Sequence, residues 1–420
     1  MFEFFFKYFL VFPKIQLGGE DTYSGFGILI GEIFLILYAF RFLLFHRRIL
    51  LNTPLVVLMV FLAYFIFLSS LLNWPFAEIF PVMSGAYYLR ILLYVSLFVF
   101  AFNYSETDTN LIVQRFYVTP FLIQCVGGTI IVVTYYLTHN PSIGDVLWGY
   151  DTGLRLIPFA GLSFNPDAFF FLMPIGGGSA NLLASWALAV LIIADQSKSQ
   201  RMNLVIFMVI FTVALSMSRG GLLTICLYLI YMSLRDWRTG GRLILVFGML
   251  GLIISLFAYL TESENSIFAN IFTRLSDTFE QGGLDGSSLG RLENYSKILS
   301  VWIESPFFVL FGMGYDEAIM RSYTGYSIVE SFILQVITSS GLIGLTGFVL
   351  FYVVVYKMST VNLWFACLWK FLIFESILQW SITGGDFVSP HVLFVFMTFL
   401  GFGYNELCRQ AQSPQVQLVK

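Results

Sequence analysis

Charge is scarce in this chain. Asp, Glu, Lys and Arg make up 11% of its 420 residues, and there are only 22 Lys and Arg. A soluble protein needs roughly a quarter of its residues charged to cover its surface, so an ordinary water-soluble domain is excluded. Histidine is nearly missing. His46, His139 and His391 are the three, and none falls between residues 261 and 327, which excludes a histidine base in that stretch. Cysteine is limited to Cys125, Cys226, Cys367 and Cys408, with no CxxC pair and no His/Cys cluster, so neither a metal site nor a disulfide framework is indicated. No small-residue cleavage site follows the aromatic N-terminal segment 2–12 (FEFFFKYFLVF), so it is a poor signal peptide; an interfacial helix and a short first span both fit it. No repeat period stands out, so duplicated transporter halves are not indicated.

Apolar residues are abundant instead. Hydrophobic residues reach 58%, aromatic residues 18%, with 47 Phe and a mean hydropathy of +0.82. A lipid solvent accommodates this composition, because apolar side chains then face outward without penalty. Runs long enough to cross about 30 Å of hydrocarbon fall near 26–45, 55–74, 85–103, 117–137, 168–194, 202–217, 220–234, 243–260, 328–356, 362–382 and 391–408. The expected fold class is an all-α polytopic membrane protein of about eleven or twelve transmembrane helices, a single transmembrane domain over 1–420. Two stretches between runs are long and polar, 138–167 and 261–327.

Cation placement orients the runs. With alternating spans, Arg41, Arg47, Arg48, Arg115, Lys198, Arg201, Arg235, Arg238, Arg242, Lys357, Arg409 and Lys420 share one side, and Arg90, Arg155, Arg219, Arg274, Arg291, Lys297 and Arg321 share the other. Twelve against seven makes the first side cytoplasmic by the positive-inside rule, and both long loops then face outward. Within the larger loop, Leu292, Tyr295, Leu299, Trp302 and Ile303 recur at helical spacing and stop before Pro306, which predicts an amphipathic helix. A glycine-punctuated turn, Leu310-Phe311-Gly312-Met313-Gly314-Tyr315, follows it.

The outward arginines run against the topology signal and invite a reason. Arg219 sits in Ser216-Met217-Ser218-Arg219-Gly220-Gly221, between two apolar runs. Its guanidinium is a planar fork suited to phosphate oxygens, and an Arg that snorkels to the interface and stops a helix fits the same position. Arg155, Arg274 and Arg291 read singly as solvated charges or surface ion pairs; as a group with Arg219 they suggest a basic site above the membrane. Glu330 opens the ninth run, where a partly desolvated carboxylate could serve as a base toward a hydroxyl; an acid favoured by the helix dipole fits as well. Lys370 and Glu375, inside the tenth run, read as a structural pair.

The order of these motifs resembles the O-antigen polymerase/ligase superfamily. Three stretches carry the likeness: Arg155 with Gly161 and Asn165-Pro166; Ser218-Arg219-Gly220-Gly221; and Gly290-Arg291 through Trp302, Pro306 and Gly312-Met313-Gly314 to Glu330, Leu334 and Gly341-Leu342-Ile343-Gly344. The resemblance covers roughly residues 150–350. Arg274 is followed by Gly290 after fifteen intervening residues, a spacing like that of some polymerases, while Arg155 has no equally clean partner. The ligase branch is expected to carry a histidine near the end of its large loop, and Glu330 stands at about that place here. The resemblance therefore implies a polymerase with a GT-C-like fold in a bacterial inner membrane, with loops 138–167 and 261–327 periplasmic. It implies a metal-independent, inverting transfer with no cofactor. Donor and acceptor would be undecaprenyl-pyrophosphate-linked oligosaccharides, Arg155, Arg219, Arg274 and Arg291 would hold pyrophosphate, and Glu330 would take the acceptor proton. Membrane lipids and a chain-length regulator protein are the other implied partners; nucleic acid is not among them. The rival readings are an O-antigen ligase and, from another class, a lipid-linked sugar flippase, which would not need a large outer loop.

Overall fold

The computed structural model describes residues 2–11, 14–17, 26–45, 53–127, 154–157, 162–165, 168–172, 180–215, 219–236, 286–326, 329, 331–380 and 387–412. The eighth apolar run (243–260) and the second half of the fourth (128–137) lie outside them. The chain forms two compact units, one of residues 1–9, 30–117 and 294–420, the other of 10–29 and 118–293.

The first unit is helical. It begins with α1 (Phe2–Lys7) and α2 (Ile30–Phe45). A continuous rod follows, α3 (Thr53–Leu62), a π-helical stretch (Ala63–Leu68) and α4 (Ser69–Ala77). Pro54 is tolerated in its first turn, where N–H groups have no intrahelical acceptor. After α5 (Val82–Phe102) and α6 (Thr109–Val113) come the elements of the large loop and the last spans. Among the described residues four helices are long and apolar enough to cross a membrane: Thr53–Ala77, Val82–Phe102, Phe332–Met358 and Pro390–Ala411. The chain is thus a polytopic membrane protein built on helices. The core is aromatic: Phe100, Tyr104, Phe116 and Phe402 form a ring cluster that Trp364, 4.8 Å from Phe402, joins to Tyr117 and Phe399.

The second unit contains β1 (Lys14–Leu17), β2 (Phe26–Leu29), β3 (Leu154–Ile157), β4 (Leu162–Asn165) and β5 (Ala168–Leu172), with α7 (Ala180–Gln196), α8 (Met202–Leu215) and α9 (Arg219–Arg235). β1 pairs antiparallel with both β2 and β3, and β4 with β5. The fifth apolar run, expected as one span over 168–194, holds two elements: Ala168–Leu172 is a hairpin strand and Ala180–Gln196 is helix. Ala-Phe-Phe-Phe-Leu is aromatic-rich and suits a strand as well as a helix. Asp195 ties α7 to α9, accepting from Tyr228 Oη at 2.9 Å and from Arg235 Nη2 at 2.5 Å.

Helix ends assigned to one side from the cation pattern meet in the first unit. Asn405 Nδ2 donates to the Ala101 and Tyr104 carbonyls at 3.2 and 2.7 Å, and Arg409 donates to those of Tyr104 and Glu106 at 2.6 and 2.9 Å.

Candidate functional site

The large loop ends in an ordered bracket. α10 (Gly286–Glu304) is the amphipathic helix expected from the sequence, and it stops ahead of α11 (Pro306–Phe311), whose first residue is a proline without an N–H. The turn Gly312-Met313-Gly314-Tyr315 leads to α12 (Glu317–Thr324), which Asp316 caps by accepting from Ala318 N at 3.1 Å. α13 (Phe332–Met358) follows and is broken at Gly341, whose φ of 63° lies outside the helical region. Just before the break, the Thr338 and Ser339 carbonyls accept from Met313 N (2.8 Å) and Gly314 N (2.9 Å). The turn is thus sewn onto the broken helix by backbone alone. Only glycine fits the crossing: a Cβ on Gly341 would stand 2.5 Å from the Leu310 oxygen, and one on Gly312 would overlap the Ser339 carbonyl.

Polar side chains from the second and third spans hold the same turn. Asn73 Nδ2 donates to the carbonyls of Gly312 (2.9 Å) and Ser69 (2.8 Å). Ser70 Oγ accepts from Tyr315 N at 2.8 Å and Asp316 N at 3.0 Å. Ser84 donates N–H and O–H to Asp316 Oδ2, both at 3.3 Å. Tyr64 Oη reaches the Phe311 carbonyl at 3.1 Å, and Tyr323 Oη reaches that of Asn73 at 3.4 Å. Burial raises the Tyr323 phenol above its ordinary range, which keeps it a donor. Below the turn, Ile298, Met313, Met320 and Val329 form a buried cluster, flanked by Tyr295 and Trp302.

α10 is rotated from the face read in the sequence. Asn294 and Ile298 are buried and Tyr295 and Trp302 half-buried, whereas Leu292 and Ile303 are 53% and 65% exposed. In a membrane protein an exposed Leu or Ile can meet lipid, so apolar spacing does not fix which face turns inward.

The five residues expected at the site are placed unequally. Arg219 is the first residue of α9, and Arg155 lies in β3 opposite Gln16 of β1. Arg291 is on α10 and half-buried. Arg274 and Glu330 lie outside the described residues. Glu330 is bracketed, however, by Val329 and Ser331, both buried. Arg90, another outward arginine, has a structural reason: its Nε and Nη2 meet Glu32 at 2.8 and 3.3 Å, and Tyr94 Oη donates to the same carboxylate at 3.0 Å. Glu375 is fully buried in the π-helical stretch (Leu372–Gln379) that follows α14 (Leu363–Phe371). Among the described residues no group of three or more His, Cys, Asp or Glu could hold a metal ion.

Ser70, Asn73, Ser84 and Asp316 were not legible as a group. Isolated polar residues at the ends of apolar runs were the available signal, and the bonds that join Ser70, Asn73 and Ser84 to the turn and to Asp316 span more than 200 positions.

The bracket and Arg219 both fall within a recognised domain. Residues 204–349 match the family model described as O-antigen ligase, about a third of the chain. The match is consistent with the O-antigen polymerase/ligase superfamily and supports an enzyme of that general type in a membrane. No curated protein matches the chain.

Proposed function

We propose that the chain is a polysaccharide polymerase of the bacterial inner membrane. It transfers the growing glycan from one undecaprenyl-pyrophosphate carrier to the sugar of a second lipid-linked repeat unit at the periplasmic face. The family match over 204–349 supports an enzyme of the polymerase/ligase type. Within that type the polymerase reading is carried by Glu330, which stands where a ligase is expected to have a histidine, with no histidine between residues 261 and 327. Arg155, Arg219, Arg274 and Arg291 bind the pyrophosphate and steady its developing charge. Glu330 takes the acceptor hydroxyl proton as the oxygen attacks the anomeric carbon from the face opposite the leaving group. The bond from that carbon to the pyrophosphate oxygen breaks, and the lipid pyrophosphate leaves with the electron pair. Inversion results, and no metal takes part.

The ligase reading is favoured by one specific observation, the description of the matching family. Acceptor choice separates the two. Purified protein given only lipid-linked repeat should produce a ladder of lengths; transfer of glycan solely to lipid A core, with no chain growth, would establish the ligase instead.

A further inference from the structure

The glycine turn stands well inside the end of the rod that grips it. The rod Thr53–Ala77 has 25 residues, which is ~37 Å at the helical rise against ~30 Å of hydrocarbon, so centred in a bilayer it overhangs by only ~4 Å at each end. Tyr64 meets the Phe311 carbonyl and Asn73 that of Gly312, so the turn lies between the levels of these two residues. Ser70, between them, takes the N–H groups of Tyr315 and Asp316. Ser70 is seven positions before Ala77, ~10 Å along the rod, which puts the turn ~6 Å within the hydrocarbon. α11 leads into the turn at that depth.

Two further features of this segment suit lipid and not water. One is composition. α11 reads Pro-Phe-Phe-Val-Leu-Phe, has no polar side chain, and buries none of its six side chains in the protein. Leu310 is 44% exposed, and the Phe307 ring lies 5.2 Å from that of Phe76, which is 65% exposed. The other is the backbone. Five consecutive N–H groups have acceptors in the protein: Gly312 donates to the Phe308 carbonyl at 2.8 Å, Met313 and Gly314 to those of Thr338 and Ser339, and Tyr315 and Asp316 to Ser70 Oγ. Irregular backbone persists at hydrocarbon depth only where protein satisfies its polar groups; a turn standing in water has solvent for that purpose.

We infer that α11 is immersed in the bilayer, with its apolar side chains against the acyl chains of the leaflet in which the rod ends. The partner is a lipid surface because the exposed side chains continue that of the spans: the Leu310 carbonyl abuts Gly341, and Leu342 and Ile343 beyond it on α13 are exposed. The large loop is thereby anchored in the membrane beside the bracket, whichever acceptor the enzyme uses.

Spin-label accessibility tests this on full-length protein in phosphatidylethanolamine/phosphatidylglycerol liposomes. Cys226 and Cys408, which are only partly buried, are replaced by Ala so that one introduced cysteine carries the label. Leu310→Cys reports on α11. Leu350→Cys, at an exposed position on α13, gives the lipid reference, and Ser300→Cys, at an exposed position on α10, gives the water reference. Dissolved oxygen should relax the Leu310 label as strongly as the Leu350 label, and a water-soluble nickel chelate should leave both untouched. Phe307→Cys should read the same and serves if Leu310→Cys does not fold. In wild-type protein, a phosphatidylethanolamine with a diazirine in its acyl chain should label peptide 306–311 on photolysis. Nickel access as at Ser300 would place α11 in water, and protection from both reagents would place it against protein; either result overturns the inference. So would an unlabelled 306–311 beside a labelled 342–358.

Discussion

Replacing Gly341 by Ala should break the bracket that joins the large loop to the membrane helices. Two penalties combine. The φ of 63° with ψ of −163° is a region that residues with a Cβ rarely enter, at about 1–3 kcal/mol. The new Cβ would also stand 2.5 Å from Leu310 O and 2.6 Å from Gly312 N, and moving backbone aside adds about 1–3 kcal/mol. The sum, about 2–6 kcal/mol, should lower the thermal midpoint by several degrees when unfolding is followed by tryptophan fluorescence in detergent. Gly290→Ala is the matched control. Gly290 is exposed within α10 and a Cβ there would meet nothing within 4 Å, so Ala should stabilise by about 0.5–1 kcal/mol. Gly312→Ala strikes the same crossing from the other strand, so the double variant should lose less than the sum of the singles. A Gly341→Ala protein as stable as wild type, or losses at 312 and 341 that simply add, would refute this account of the bracket.

Ser70→Ala leaves the buried N–H groups of Tyr315 and Asp316 without their acceptor and should destabilise by roughly 2–4 kcal/mol, read as a lower denaturation midpoint. Arg90→Met should cost about 3–5 kcal/mol because it strands the Glu32 carboxylate, and adding Glu32→Gln should recover much of it; thermal melts of the two variants decide this. Arg219→Ala should abolish chain extension at normal protein levels, and Arg219→Lys should restore little because a point charge lacks the bidentate fork; full rescue by Lys would favour the snorkelling role. Glu330→Gln should slow extension by roughly two to four orders of magnitude while folding survives. Near-normal turnover with a stability loss within about 1 kcal/mol would leave it a helix-terminal acid. Cysteine placed at Ser287 should be labelled from outside in cells with a permeabilised outer membrane, and labelling only after inner-membrane lysis would invert the topology.

The membrane helices were legible because run length and hydropathy are local properties, and Thr53–Ala77, Val82–Phe102, Phe332–Met358 and Pro390–Ala411 all overlap expected runs. The helix preceding Pro306 and the glycine turn after it were legible for the same reason, from helical spacing and from glycine punctuation. The inward face of α10 was not, since single apolar residues such as Leu292 and Ile303 can stay exposed, so their spacing does not fix the buried face. The hairpin of β4 and β5 was hidden because its second strand abuts the helical run in both sequence and composition. The clasp was invisible for a different reason. Asn73 and Gly312 are 239 positions apart, and nothing in either segment names the other. Arg90 shows the converse: an outward cation at odds with the positive-inside count is held by Glu32 of α2.

Chain growth by the protein alone tests the central claim most directly. Purified wild-type protein, reconstituted in liposomes with labelled undecaprenyl-pyrophosphate repeat and a metal chelator, should yield a ladder of products several repeats long, and Arg219→Ala should yield none. A reaction that leaves the repeat unextended, or that extends it equally well with Arg219→Ala, would contradict the account.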